Sequence, residues 1–223
     1  MRNFANSFNV ILYLIAITIF LIITGSCNST NQMHTGKSGS AKLKDSILAD
    51  TAGNKYSIKV LSDGKLWMTA NLNLNIPDSY CYENSRENCE QFGRLYTWES
   101  ARQGCKLLGE GWRLPTKDEF RLLTALYGGG AEDSNIIRKT AYKALLLNST
   151  AGFNAVLGGN RSPDSQYSRL GAHGFYWTVT ESDNGTAWFA NFGKGSQALY
   201  LQDGGEKTEA FSVRCVKSID SLK

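Results

Sequence analysis

The residues with the clearest chemical potential are the five cysteines: Cys27, Cys81, Cys89, Cys105 and Cys215. A cysteine can accept a lipid, form a disulfide or act as a nucleophile. An odd number in an exported protein leaves one thiol without a disulfide partner. If Cys27 carries a lipid, four cysteines remain, and an even number suits an oxidising compartment. Cys81 and Cys89 bracket a short polar loop whose length suits a local disulfide.

An apolar segment before Cys27 has the length of an export signal. The run from Val10 to Ile23 is apolar except for Thr18, and it follows Arg2. At ~1.5 Å per residue it covers only ~21 Å, less than the ~30 Å hydrocarbon core of a membrane. This length favours a signal peptide over residues 1–26 rather than a permanent span.

The tetrapeptide Thr24-Gly25-Ser26-Cys27 resembles a bacterial lipobox, in which small residues precede a cysteine that is acylated and becomes the new N-terminus. Thr24 departs from the usual leucine. Ordinary cleavage that leaves a free Cys27, or an uncleaved anchor, are the alternatives. We predict a lipoprotein anchored through lipidated Cys27 in the bacterial cell envelope, in the outer membrane or at the cell surface rather than in the inner membrane.

The rest of the chain divides into a tether and one domain. Residues 28–45 are polar and contain no Phe, Tyr or Trp, so 27–46 is predicted to be the lipidated cysteine and a flexible tether. Residues 47–219 are predicted to form a single domain, followed by a tail at 220–223. The 223 residues are enough for one domain with a sizeable core.

Charge and histidine content narrow the classes of ligand. The net charge of +4 comes without a Lys/Arg stripe, so no nucleic-acid partner is expected. The two histidines, His34 and His173, are too few for a multi-histidine metal site. Calcium needs about six to eight oxygen ligands, and the polar segment 158–174 offers few acids besides Asp164. We predict neither a metal site nor a cofactor.

Two capped helices are predicted in the middle of the chain. In the first, Trp98, Ala101, Cys105 and Leu108 recur at helical spacing, with Thr97 as N-cap and Gly109 as C-cap. The second opens on a capping box, in which Thr116 and Glu119 stand three residues apart. Its apolar stripe consists of Phe120, Leu123, Leu126 and Tyr127.

Strand patterns surround these helices, which makes the predicted fold class α+β. Alternating residues on both sides of Asp63-Gly64 predict a hairpin over 56–60 and 65–72. Residues 136–147 could form a third short helix. Further strands are predicted at 152–156, 175–180, 187–192, 198–201 and 211–216. A long polar loop, 158–174, separates the first two of these, and loops of this length are often functional.

Six motifs occur in a fixed order along the domain. They are Asp50…Gly53-Asn54-Lys55-Tyr56, Trp67-Met68…Asn71-Leu72, Gly93-Arg94-Leu95-Tyr96-Thr97-Trp98, Gly111-Trp112-Arg113-Leu114-Pro115-Thr116, Gly152-Phe153-Asn154-Ala155 and Ser212-Val213-Arg214-Cys215-Val216. With these motifs the chain resembles the Fibrobacter succinogenes major paralogous domain family. The resemblance covers roughly residues 48–217, and it implies an exported, lipid-anchored protein that acts at the cell surface.

A wider resemblance links the chain to C-type lectin-like domains, which share the Trp98-x-x-Ala101-x-x-x-Cys105 helix. It implies a disulfide-stapled domain with two main helices and a mostly antiparallel sheet. It also implies a disulfide between Cys105 and Cys215, which leaves Cys81 with Cys89. The Glu-Pro-Asn, Gln-Pro-Asp and Trp-Asn-Asp motifs of calcium-dependent lectins are absent.

A related family with this type of fold, that of the formylglycine-generating enzymes, shares the stretch from Arg113 to Thr116 with Glu119. A proline turn that leads into a capped helix explains the same residues without catalysis. That chemistry uses two late reactive cysteines, whereas this chain has only Cys215 after Cys105. His173 has no evident catalytic partner, so we predict that the protein is not an enzyme.

Ligand binding or adhesion is the function that we predict, with a polysaccharide or a surface protein as the ligand. The candidate contacts are Arg161, Asp164, Tyr167, Arg169 and Trp188, whose types recur at recognition surfaces. The alternative for the tryptophans is that they are core residues, and we expect this of at least three of the five. A structural envelope protein without a small ligand is the alternative function.

Overall fold

A computed structural model describes residues 46–130, 133–149 and 151–219. The predicted signal peptide, Cys27, nearly all of the tether and the tail at 220–223 lie outside these residues. None of the described helices is both long enough and apolar enough to cross a membrane. The described part is an α+β fold, as predicted, and is built from three sheets and four α-helices.

The strands form a four-stranded sheet in the order β1-β2-β3-β11, a five-stranded sheet in the order β10-β9-β8-β6-β7, and the pair β4-β5. Of the strand pairings in the described chain, only that of β6 with β8 is parallel. The strands are β1 (Ser46–Ala49), β2 (Lys55–Val60), β3 (Leu66–Met68), β4 (Ser79–Tyr80), β5 (Leu95–Tyr96), β6 (Gly158–Arg161), β7 (Tyr167–Leu170), β8 (His173–Glu181), β9 (Thr186–Gly193), β10 (Ala198–Glu206) and β11 (Val216–Lys217).

The number of helices corrects the prediction of two main helices with a possible third. The extra helix begins within the segment between Cys81 and Cys89 and ends after Cys89. The Ser85 side chain caps it by accepting from the Asn88 amide. The possible helix at 136–147 is present over Asn135–Leu145. The four helices are α1 (Arg86–Phe92), α2 (Trp98–Lys106), α3 (Lys117–Gly128) and α4 (Asn135–Leu145), and a short 3₁₀ turn, Tyr82–Asn84, precedes them.

The predicted helix caps are half right. Thr116 and Glu119 form the capping box at the start of α3, each side chain bonded to the other's backbone amide. Thr97 is the N-cap residue of α2, as predicted, but its side chain makes no cap bond, and the C-cap is Leu107 rather than the predicted Gly109. The apolar stripe of α3 is narrower than predicted, because the Leu126 side chain is 46% exposed.

The long loop predicted at 158–174 is a β-hairpin. Strands β6 and β7 pair antiparallel, and the turn closes when the Ser162 amide donates to the Gln166 carbonyl over 2.8 Å. Their composition concealed these strands, because β6 consists of buried glycines, an asparagine and an arginine, and β7 shows no apolar alternation. Three predicted strands are also reduced. The return strand 65–72 is strand only over Leu66–Met68, 152–156 keeps only a bridge at Ala155, and 211–216 has single bridges at Phe211 and Ser212 before strand begins at Val216.

Aromatic rings and two disulfides hold the layers together. Phe153 contacts Trp67, Tyr176 and Phe192 at ring-centroid distances of 5.8, 6.1 and 6.1 Å. Four of the five tryptophans are buried, as expected for at least three: Trp67, Trp98, Trp112 and Trp177. The disulfides join Cys81 to Cys89 and Cys105 to Cys215, the pairing that the lectin-like resemblance implies.

Candidate ligand-binding face

The hairpin β6–β7 brings two of the predicted ligand residues face to face. Arg161 is the last residue of β6 and Tyr167 is the first of β7, and they are direct partners in the register. The guanidinium carbon of Arg161 lies 3.9 Å from the ring centroid of Tyr80 and 5.9 Å from that of Tyr167. The arginine therefore holds one strand of the small β4–β5 pair against the hairpin.

Tyr167 is fixed by the disulfide-closed segment. Its hydroxyl donates to Oδ1 of Asn84 over 3.1 Å, and its ring lies 5.2 Å from that of Tyr82. The Cys81–Cys89 disulfide closes the segment that carries Tyr82 and Asn84. We call Tyr80, Asn84, Arg161 and Tyr167 the arginine–tyrosine face.

Arg94 supports the face from behind. Its Nε and Nη2 atoms donate to Oγ and the carbonyl of Ser79, at 3.0 and 2.8 Å. Its Nη1 approaches Sγ of Cys81 at 3.4 Å. Ser79 and Cys81 flank Tyr80 in the chain, so Arg94 holds the residues on both sides of that ring.

Backbone strain is concentrated around this face. Glu83, Asn84, Ser165 and Arg169 have φ angles of 52°, 56°, 72° and 65°, in the left-handed region that residues other than glycine rarely adopt. Each such residue costs free energy and persists where surrounding contacts enforce it, often at a functional site. The contacts of Tyr167 with Tyr82 and Asn84 are made to the turn that contains Glu83 and Asn84.

The ionisation of Tyr80 is also set by its neighbours. Burial raises the pKa of its hydroxyl, the positive charge of Arg161 opposes that rise, and the negative charge of Asp78 adds to it. Its pKa therefore lies above the ordinary value of 10.0. At neutral pH the group is a neutral phenol, which donates to Asp78 over 3.3 Å.

The remaining predicted contacts do not all join this face. Asp164 accepts from the Gln166 amide over 3.2 Å within the hairpin turn, and exposed Arg169 lies 5.6 Å from the ring of Phe175. Trp188 stands elsewhere, on β9, half-buried beneath Lys117, whose Nζ is 4.4 Å from the ring centroid. The structure thus brings Arg161 and Tyr167 together, with Asp164 in the same hairpin, and places Trp188 at a separate cavity of about 200 Å³.

A family model now identifies the chain. The Fibrobacter succinogenes major domain matches residues 51–217, which is most of the domain described above. The chain belongs to the Fibrobacter succinogenes major domain family. This confirms the family recognised from the motifs. No curated protein and no solved structure matches the chain.

Sequence reasoning missed two members of the face in this Fibrobacter succinogenes major domain, Tyr80 and Asn84. The signal was their position, since both lie next to or inside the segment between Cys81 and Cys89. A disulfide that closes so short a segment restricts the side chains beside it, which makes them candidates for a preformed surface.

Among the described residues, His173 and the four cysteines all contact other side chains. Within residues 46–130, 133–149 and 151–219, no three His, Cys, Asp or Glu side chains form a group that could hold a metal ion. The Cys215 sulfur is bonded to Cys105. His173 lies with its Nδ1 2.9 Å from Oδ1 of Asn191 and its ring 5.3 Å from that of Phe175.

Proposed function

We propose that this member of the family is a cell-envelope lipoprotein whose domain binds a polymer at the cell surface through the arginine–tyrosine face. The observation that carries the proposal is the position of Arg161 between Tyr80 and Tyr167. Lipidated Cys27 and the tether would place the face outside the cytoplasm, at the outer membrane or cell surface.

Pre-ordering is the physical reason to favour binding. A partner that immobilises a free side chain on association loses about 0.5–1.5 kcal/mol for each one. Here the Tyr167 hydroxyl is already bonded to Asn84 and the Tyr80 ring is already covered by Arg161. Tyr and Arg are also among the residues that most often dominate binding energy at interfaces. The face therefore offers contacts that are already ordered, at low entropic cost.

The proposed architecture is that of a C-type lectin-like domain. Support comes from the disulfide that ties Cys105 of α2 to Cys215, directly before strand β11, and from the capped helix α3 that follows α2. The same disulfide supports binding over formylglycine-type catalysis, because a bonded Cys215 offers no thiolate nucleophile.

A polysaccharide is the first ligand class to test, with a surface protein as the second. The full chain would be incubated with insoluble cellulose, xylan, chitin and peptidoglycan, and the bound fraction measured after sedimentation. Retention on one of them, lost in Tyr167→Ala, is the expected result. If neither the parent chain nor Tyr167→Ala is retained on any polymer, a protein ligand or the structural envelope role would take the place of polysaccharide binding.

A further inference from the structure

A second concave region lies apart from the arginine–tyrosine face. It has a volume of about 440 Å³, and none of the face residues lines it. We name it the asparagine groove, after the amide side chains that line it: Asn54, Asn71, Asn73, Gln91 and Asn154. The aromatic residues Tyr56 and Phe92 also line it. We infer that this groove is a binding site for a neutral, polyhydroxylated small molecule, a sugar unit.

One wall of the groove rests on a buried cation. Arg214 is 1% exposed, and its guanidinium donates to Oδ1 of Asn71 at 2.6 Å and to the carbonyls of Phe153 and Asn154 at 2.7 Å each. No carboxylate of the described residues forms an ion pair with it. A buried charge with only neutral partners is expensive. Its contacts fix the positions of Asn71 and Asn154, so Arg214 acts as a positioning residue.

The other wall rests on a buried carboxylate. Asp50 accepts from the Tyr56 hydroxyl at 2.6 Å and from Nδ2 of Asn54 at 2.7 Å. The Tyr56 oxygen in turn accepts from the backbone amide of Asn73 at 3.2 Å. Asn54 and Asn73 are therefore held by a network behind the groove, as Asn71 and Asn154 are on the other side.

The end of α1 forms the third side through a close backbone approach. Gly93 has a φ of 74°, and a Cβ added to it would lie 2.6 Å from Cβ of Asn71 and 2.8 Å from the carbonyl oxygen of Leu72. Only glycine allows the end of α1 to lie this close to Asn71 and Leu72. The Asn71 side chain spans the contact, since its Nδ2 donates to the Phe92 carbonyl at 2.7 Å.

The free polar groups of the groove identify the ligand class. Among the described residues, no hydrogen-bond partner is found for the side-chain amides of Asn73, Gln91 and Asn154. Each amide has one acceptor oxygen and two N–H donors, which match hydroxyl groups that donate and accept at once. The half-buried ring of Phe92 adds an apolar surface, and the volume of the groove lies within the range of about 300–1,000 Å³ that is typical of small-ligand sites.

The charges around the groove favour a neutral ligand. Arg214 and Asp50 have opposite charges, and their hydrogen bonds are directed to the protein. At the rim Lys55 and Glu90 also have opposite charges, and Glu90 pairs with Arg86 at 2.9 Å. The charged residues that line the groove thus include both signs, without a cluster of one sign that would select an acid or a base.

Titration calorimetry of the full chain tests the inference. The probes are cellobiose, maltose, lactose and chitobiose, with galacturonate and a neutral tripeptide for comparison. Binding of at least one neutral saccharide is expected, weakened about 3- to 10-fold by Asn73→Ala and by Gln91→Ala, as loss of a hydrogen bond predicts. Gln103→Ala removes an exposed amide of α2 that belongs to neither the groove nor the arginine–tyrosine face, so it is the matched control and should leave the affinity unchanged.

Four outcomes would overturn the inference. They are the absence of binding to every neutral saccharide, binding to galacturonate or the tripeptide alone, binding that Asn73→Ala and Gln91→Ala leave intact, and binding that Arg161→Ala abolishes. The last would assign the sugar to the arginine–tyrosine face. Circular dichroism of each variant would show whether the fold is retained, and both exposed Gln91 and half-buried Asn73 can be truncated without opening the core.

Discussion

Nε of Arg214 donates to Oδ1 of Asn71 over 2.6 Å, across 143 residues of chain. The same guanidinium also binds the Met68 carbonyl at 3.2 Å and those of Phe153 and Asn154. One buried side chain thus connects three distant segments. Its burial lowers the pKa of the guanidinium below the ordinary value of 12.5.

Arg214→Met is expected to lower the free energy of unfolding by about 3 kcal/mol or more, because it leaves buried acceptors without donors. Arg214→Lys should have a smaller effect, since it keeps the charge but loses the planar fork. Urea titration followed by tryptophan fluorescence measures both. A methionine variant as stable as the parent would contradict the connecting role of the guanidinium.

The two disulfides should differ in their contribution to stability. Cys105 and Cys215 are separated by 110 residues, and Cys81 and Cys89 by 8. The chain-entropy relation then gives about 5 kcal/mol for the long loop and about 2.5 kcal/mol for the short one. Paired Cys→Ala variants compared by thermal denaturation should lose stability in that order. A larger loss from the Cys81–Cys89 pair would contradict it.

Glu119 is expected to make stability depend on acid pH. Burial raises the pKa of its carboxyl, but the hydrogen bond from Arg113 and the amide of Thr116 outweigh that, so the pKa lies below the ordinary 4.5. A pKa lowered in the folded state stabilises the fold above the unfolded value, and this stabilisation is lost as pH falls through the folded value.

Glu119→Gln is the matching variant, because glutamine can still accept from the Thr116 amide while it loses the charge. The free energy of unfolding should be about 1–2 kcal/mol lower in the variant at pH 7. The gap should close as pH falls below about 4.5, in the range where the carboxylate of the parent becomes protonated. A gap that is the same at pH 7 and pH 3 would show that the charge is not the cause.

The lipid anchor is tested by Cys27→Ser. In a Gram-negative host that is fed labelled palmitate, the parent chain should carry the label and sediment with membranes. The serine variant should carry none and remain in the soluble extract, because it has no thiol for the lipid. Labelled palmitate on the serine variant, or its absence from the parent, would contradict lipidation at Cys27.

The sequence predicted the parts of the fold that local chemistry determines. The capping box of Thr116 and Glu119 is confirmed because a cap depends on residues three positions apart. The disulfide of Cys105 with Cys215 was available only through a resemblance, since spacing alone cannot choose among pairings. The hairpin β6–β7 was missed because its strands have almost no apolar alternation.

In the candidate sites, too, residue types could be predicted from the sequence, but the neighbours of each residue could not. Arg161 and Tyr167 were predicted from residue type, but their neighbour Tyr80 comes from a strand far away in the chain. Trp188 was grouped with them by residue type and lies at another cavity. Asn71, Asn154 and Arg214 were visible in separate motifs, yet only the tertiary fold shows that they meet.

One pair of variants tests most directly whether the arginine–tyrosine face binds a surface polymer. Arg138 also stacks on a tyrosine, at 5.2 Å from the ring of Tyr200, so Arg138→Ala is a matched control for Arg161→Ala. On the polysaccharide that retains the parent, Arg161→Ala should weaken the apparent Kd about tenfold or more, and Arg138→Ala should leave it unchanged. Equal affinity of both variants and the parent would contradict binding by the arginine–tyrosine face.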